Sequence, residues 1–139
     1  MRALSLLRPR APRPRSPPAR SLADANIEFV VQDGETMEKD WSKVGKDDLV
    51  ILPAFGAKLD EMQMLDAKGV TIVDTTCPWV SKVWGVVDKH KARGMTSVIH
   101  GKYAHEEAIA TASFADVFLI VKNEKEATFV CDYVVNGGT

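Results

Sequence analysis

The chain has 139 residues, 45% of them hydrophobic, and a formal net charge of −1, which suits a modest α/β core. The first 23 residues carry six arginines and no acid, leaving 12 basic residues against 19 acidic ones, a net of −7; that acidic body excludes a broad electrostatic footprint for nucleic acid. No apolar run approaches the roughly 20 residues of a membrane span, and the two distant cysteines, Cys77 and Cys131, exclude a disulfide framework and a complete metal site within the chain.

Residues 1–24 form an Arg-, Pro- and Ser-rich leader. Its prolines, including Pro12, Pro14, Pro17 and Pro18, remove backbone donors and block a sustained helix. One-sign charge and low apolar content predict disorder, and the composition also fits an organellar transit peptide. Ile27–Val31 reads as a strand, followed by a polar loop. The continuous apolar run Leu49–Phe55 reads as a strand buried on both faces. Leu59, Met62 and Leu65 then share one helical face, and Gly69 stands where a helix C-terminus wants a positive φ. Val70–Asp74 is the next strand.

A joint with one thiol follows, in "VDTTCPWVSKVW". Past it, Val80, Val83, Trp84 and Val87 lie at i, i+3, i+4 and i+7, a single apolar stripe, and Gly94 ends that helix. The segment "MTSVIH" is a strand, "HEEAIATASFA" a short helix with Ala108, Ile109 and Ala112 inward, and Val117–Val121 a strand. The stretch "NEKEATFVCDYVV" opens with an Asn cap and an acidic first turn, then reads equally as helix or strand. Alternating strands and helices predict an α/β fold, a parallel sheet with crossover helices.

Ligands gather at the carboxyl ends of such strands. Three ends matter: 53–56, 74–78 and 100–107, which places Cys77, His105 and Glu107 on one expected rim. Pro78 suits the first helical position, so Cys77 lies at a helix N-terminus, where the dipole favours a thiolate. A thiolate there serves as a nucleophile with a nearby His, or as a ligand of a metal or iron–sulfur cluster; a small apolar filler of the joint is the third reading. His105 and Glu107 read either as ordinary helix-start residues or as an anion site with a proton donor. His90 reads as a solvated helix residue and His100 as a strand-end residue. Trp79 and Trp84 read as core or interface packing, and Cys131 as a small buried side chain.

The segments "IVDTTCPWVSKVW", "SVIHGKYAHEEAIATASFA" and "IVKNEKEATFVCDYV" together closely resemble 4-hydroxy-3-methylbut-2-enyl diphosphate reductases of the plastid (plant and cyanobacterial) type, from about Ile27 onward. The resemblance implies a partial copy of a three-lobed α/β architecture, with 25–76 the end of one lobe and 77–139 most of a second. It implies a 4Fe-4S cluster held by three cysteines, a diphosphate substrate reduced to isopentenyl and dimethylallyl diphosphate in non-mevalonate isoprenoid biosynthesis, a ferredoxin-type electron donor and a plastid stroma location. Cys77 matches the middle cluster cysteine, His105 a diphosphate-contacting histidine, and Glu107 the acid of the proton path. Phe55 stands where many bacterial members carry a substrate-contacting histidine. The first and third cluster cysteines have no match in the chain, and Cys131 is not the third. The expectation is therefore an incomplete, inactive fragment of the reductase; a Cys/His-dependent hydrolase or transferase and a non-catalytic α/β interaction module are the alternatives.

Overall fold

The computed structural model describes residues 3–5, 27–33 and 38–137, and the chain divides into two compact units, Met1–Cys77 and Pro78–Thr139. Each βα alternation expected from the apolar runs is present. Among the described residues no helix is long and apolar enough to cross a membrane.

The first unit is a parallel sheet with strand order β2-β1-β3-β4, formed by β1 (Ala3–Ser5), β2 (Ile27–Phe29), β3 (Leu49–Leu52) and β4 (Thr71–Asp74), with helix α1 (Leu59–Ala67) crossing between β3 and β4. The strand β1 lies within the stretch expected to be unstructured leader; these three residues precede the first proline, so every backbone donor needed for pairing on both sides is available. Residues 1–2 and 6–24 of that leader lie outside the described residues. The run beginning at Leu49 pairs only as far as Leu52, where Pro53 ends the ladder and a turn begins. Val50 and Leu52 point into the core with Val30, Val44, Ala57 and Leu65, while Trp41, Met62, Met64, Val70 and Ile72 close around it.

Helix α1 buries Leu65, as its spacing predicts, and also Glu61, which spacing alone places off the apolar face. That carboxylate bonds the Lys39 ammonium at 2.7 Å, with both side chains more than nine-tenths buried, and accepts the Lys58 amide at 3.1 Å. Gly69 ends the helix with φ 69°.

The second unit pairs β5 (Ser97–His100) with β6 (Phe118–Val121) in parallel, Ser97 opposite Phe118 and His100 opposite Val121. Helix α2 (Pro78–Ala92) precedes β5, α3 (Glu106–Ala112) crosses between the strands, and α4 (Glu124–Asn136) follows β6. Trp84 and Val87 of α2, Ala108, Ala110 and Ala112 of α3, and Val121 of β6 are buried. The Trp84 ring stacks on Phe114 at 4.7 Å, whereas Trp79 is exposed beneath the Lys82 ammonium.

The ambiguous stretch resolves as helix α4, because Asn123 caps it by accepting the Glu126 amide at 3.0 Å. Two expectations fail here. Cys131 is exposed rather than a buried filler, since α4 buries none of its residues and Phe129, Val134 and Val135 stay open as well. His90 is half-buried rather than solvated, because its Nδ1 lies 3.1 Å from the hydroxyl of the buried Ser97.

Candidate functional site

Cys77 closes the first unit. Strand β4 ends in Asp74, whose carboxylate accepts the Thr76 amide at 2.8 Å and so turns the chain. The Thr75 amide and hydroxyl both donate to the Leu52 carbonyl, and the Cys77 amide donates to the Ala54 carbonyl at 2.8 Å. Two of the expected strand ends are thereby joined: the thiol-bearing turn is tied to the loop after β3, itself closed by a Gly56 amide bond to the Pro53 carbonyl at a Gly56 φ of 81°. The Cys77 side chain is half-buried, neither sealed in hydrocarbon nor open to bulk water. Pro78 occupies the first position of α2, so the cysteine immediately precedes a helix of 15 residues.

His105 and Glu107 belong to the second unit, which brings them together. Both line a cavity of about 370 Å³ whose walls include Val80, Val83, Val87 and Ile99 and whose polar groups include His100 and Thr111. Val83 faces this space instead of packing into the core, which is why it remains half exposed although it lies on the apolar stripe of α2. His105 is the N-cap of α3, yet its imidazole makes no capping hydrogen bond and remains available to the cavity. Its amide donates to the Lys102 carbonyl at 3.0 Å, closing the turn before the helix. Gly101 permits the close approach of this turn to α3: a Cβ there would lie 3.0 Å from the Ala108 Cβ, tighter than ordinary packing allows. His100, read as a bare strand end, contributes to the same cavity.

A further cluster supports this turn. The Tyr103 hydroxyl donates to Glu126 at 2.5 Å, and the same carboxylate accepts the Lys122 amide at 2.9 Å and the Asn123 side-chain amide at 3.1 Å. The bond from Tyr103 holds the Glu126 carboxyl below its usual range, and in return raises the Tyr103 phenol. The Asn-x-x-Glu spacing at 123–126 signals the helix start in the sequence; its link to Tyr103, 23 positions away, does not show there.

Cys77 offers one sulfur donor to a metal. Among the described residues no group of three or more His, Cys, Asp or Glu is arranged to hold a metal ion. The donor set therefore does not fit a cluster that requires three cysteines.

The family described as LytB protein matches residues 18–136, a span that contains Cys77, His105 and Glu107. The chain is 58% identical over 119 residues to the 4-hydroxy-3-methylbut-2-enyl diphosphate reductase of Gloeothece citriformis, covering 84% of this chain and 29% of that protein. The protein of the same name from a Nostoc species is 64% identical over 104 residues, covering 75% of this chain and 26% of that protein. The chain thus spans under a third of the length of these relatives. Among solved structures, the fold resembles an (E)-4-hydroxy-3-methyl-but-2-enyl diphosphate reductase with a TM-score of 0.65 at 22% identity, covering 90% of this chain and 42% of the other. It also resembles the E-1-hydroxy-2-methyl-but-2-enyl-4-diphosphate reductase of Plasmodium falciparum with a TM-score of 0.71 at 20% identity, covering 91% and 36%.

Proposed function

Because the chain belongs to the LytB protein family, we propose that it supplies one portion of a 4-hydroxy-3-methylbut-2-enyl diphosphate reductase site, with Cys77, His105 and Glu107 as its chemical groups. The observation that carries this reading is that identity of 57–64% to cyanobacterial reductases accompanies a matched span holding all three residues.

In this reading the valine-walled cavity takes the short branched hydrocarbon of the substrate, and its polar end takes the diphosphate. The His105 imidazole, left uncommitted by the helix it caps, donates to a diphosphate oxygen, a charge-assisted bond when the ring is protonated. Glu107 stands on the same wall, in the first turn of α3, and as the acid form delivers a proton to bound substrate. Cys77 is one thiolate of a 4Fe-4S cluster whose other cysteines come from polypeptide beyond this sequence, so the chain alone is not a competent reductase. An electron donor of ferredoxin type and a plastid location, with residues 1–24 as targeting leader, complete the reading. The lobe division at 25–76 and 77–139 is part of the same proposal.

The His105 role is tested by titrating the chain with inorganic diphosphate. Wild-type protein binds, and His105→Ala weakens binding about tenfold or more, as expected when a charge-assisted bond worth about 1.5–3 kcal/mol is removed. Equal affinity in the two proteins contradicts the assignment.

A further inference from the structure

We propose that Tyr103 is a positioning residue for His105: its hydrogen bond to Glu126 fixes the turn that presents the imidazole to the cavity, a role that rests on the diphosphate-binding reading of that cavity.

The turn before α3 is short and closed by a single backbone bond, from the His105 amide to the Lys102 carbonyl, with Tyr103 and Ala104 at its centre. Nothing in that bond fixes the outer side of the turn. On the side toward α3, Gly101 faces Ala108 so closely that an added Cβ would lie 3.0 Å from the Ala108 Cβ. On the outer side, Tyr103 reaches across to the start of α4 and meets Glu126 at 2.5 Å.

An exposed side-chain bond is weak when both partners must first be ordered. Glu126 is already ordered. Its carboxylate is held by the Lys122 amide and the Asn123 side chain, and its own amide donates back to Asn123 Oδ1 at 3.0 Å. Only the Tyr103 ring loses freedom on forming the contact, and that ring also lies 5.4 Å from the Lys122 ammonium, a favourable cation–π placement. The tether therefore ties the turn carrying His105 to one rigid point, the end of β6 with its helix cap. No residue of the tether lines the cavity, so its influence on a ligand passes through His105.

The experiment uses the full chain and its Tyr103→Phe and Glu126→Gln variants, with two readouts: hydrogen exchange of the His105 amide, and affinity for inorganic diphosphate. Tyr103→Phe keeps the ring and removes only the hydroxyl. It is expected to speed exchange at His105 and to weaken diphosphate binding about threefold to tenfold, with the thermal midpoint unmoved. Glu126→Gln, which keeps one acceptor oxygen, falls between Tyr103→Phe and wild type. Unchanged exchange at His105 in Tyr103→Phe overturns the proposal, as does unchanged affinity in a wild type that binds. Faster exchange in a chain whose wild type does not bind diphosphate upholds the tether and removes the diphosphate reading instead.

Discussion

Glu61→Ala lowers the stability of the first unit by about 3–5 kcal/mol, seen as a lower denaturant midpoint at unchanged slope. The size follows from burial. Lys39 and Glu61 side chains are 7% and 6% exposed and 2.7 Å apart. Removing the carboxylate leaves an ammonium enclosed without its counter-charge, and also strips the Lys58 amide of its acceptor at the head of α1. Replacing both partners, as Lys39→Met with Glu61→Leu, is expected to recover most of the loss, because the cost lies in the orphaned charge and not in the absent pair. The effect reaches the thiol: α1 follows the loop whose Ala54 carbonyl holds the Cys77 amide, so loosening its start also loosens the turn that presents Cys77. A double variant as unstable as the single one would contradict this account.

Trp84→Ala costs the second unit about 3–5 kcal/mol, measured in the same way. Trp84 is 7% exposed and supplies the largest buried side chain of that unit, and its stack on Phe114 at 4.7 Å and 19° adds aromatic contact beyond area alone. A unit of 62 residues has little stability in reserve, so Trp84→Ala is expected to weaken the proposed diphosphate binding along with the fold. Trp84→Phe is expected to retain most of both. The indole Nε1 is buried without a hydrogen-bond partner, so its removal forfeits no bond, and a phenyl ring can still stack. Wild-type stability in Trp84→Ala would show that the stack is incidental to the unit.

Local signals carried much of the fold. Gly69 and Gly94 take φ of 69° and 65° at the two helix ends where they were expected, and Pro78 opens α2. Leu65, Trp84 and Val87 are buried on the predicted stripes. What the sequence concealed depends on distant partners. Glu61 is buried only because Lys39 comes from a loop 22 positions earlier, and β1 exists only because β2 and β3 offer an edge on each side. Cys131 has apolar neighbours in sequence, yet the helix bearing them buries no residue here, so flanking hydrophobicity misjudged its exposure. The segment 124–136, balanced between helix and strand past its legible Asn123 cap, is helix throughout.

The site was legible to a different degree. The placement of Cys77 before a helix start and of His105 and Glu107 at the next one followed from strand–helix alternation, and the second unit does set His105 and Glu107 on one cavity. The contributions of His100 and Gly101 to that cavity, and the Tyr103–Glu126 contact beside it, follow from how the strand end folds back on α3 and α4, which no spacing rule encodes.

The proposed role of Cys77 as a cluster thiolate is tested most directly in a chimera. The 119 matched residues replace the corresponding 29% of the Gloeothece citriformis reductase, and the iron–sulfur content is measured under anaerobic conditions by Mössbauer spectroscopy. The chimera is expected to assemble a 4Fe-4S cluster that Cys77→Ser eliminates while Cys131→Ser leaves it intact. A cluster that survives Cys77→Ser, or a stable full cluster assembled by the 139-residue chain alone, would contradict the account.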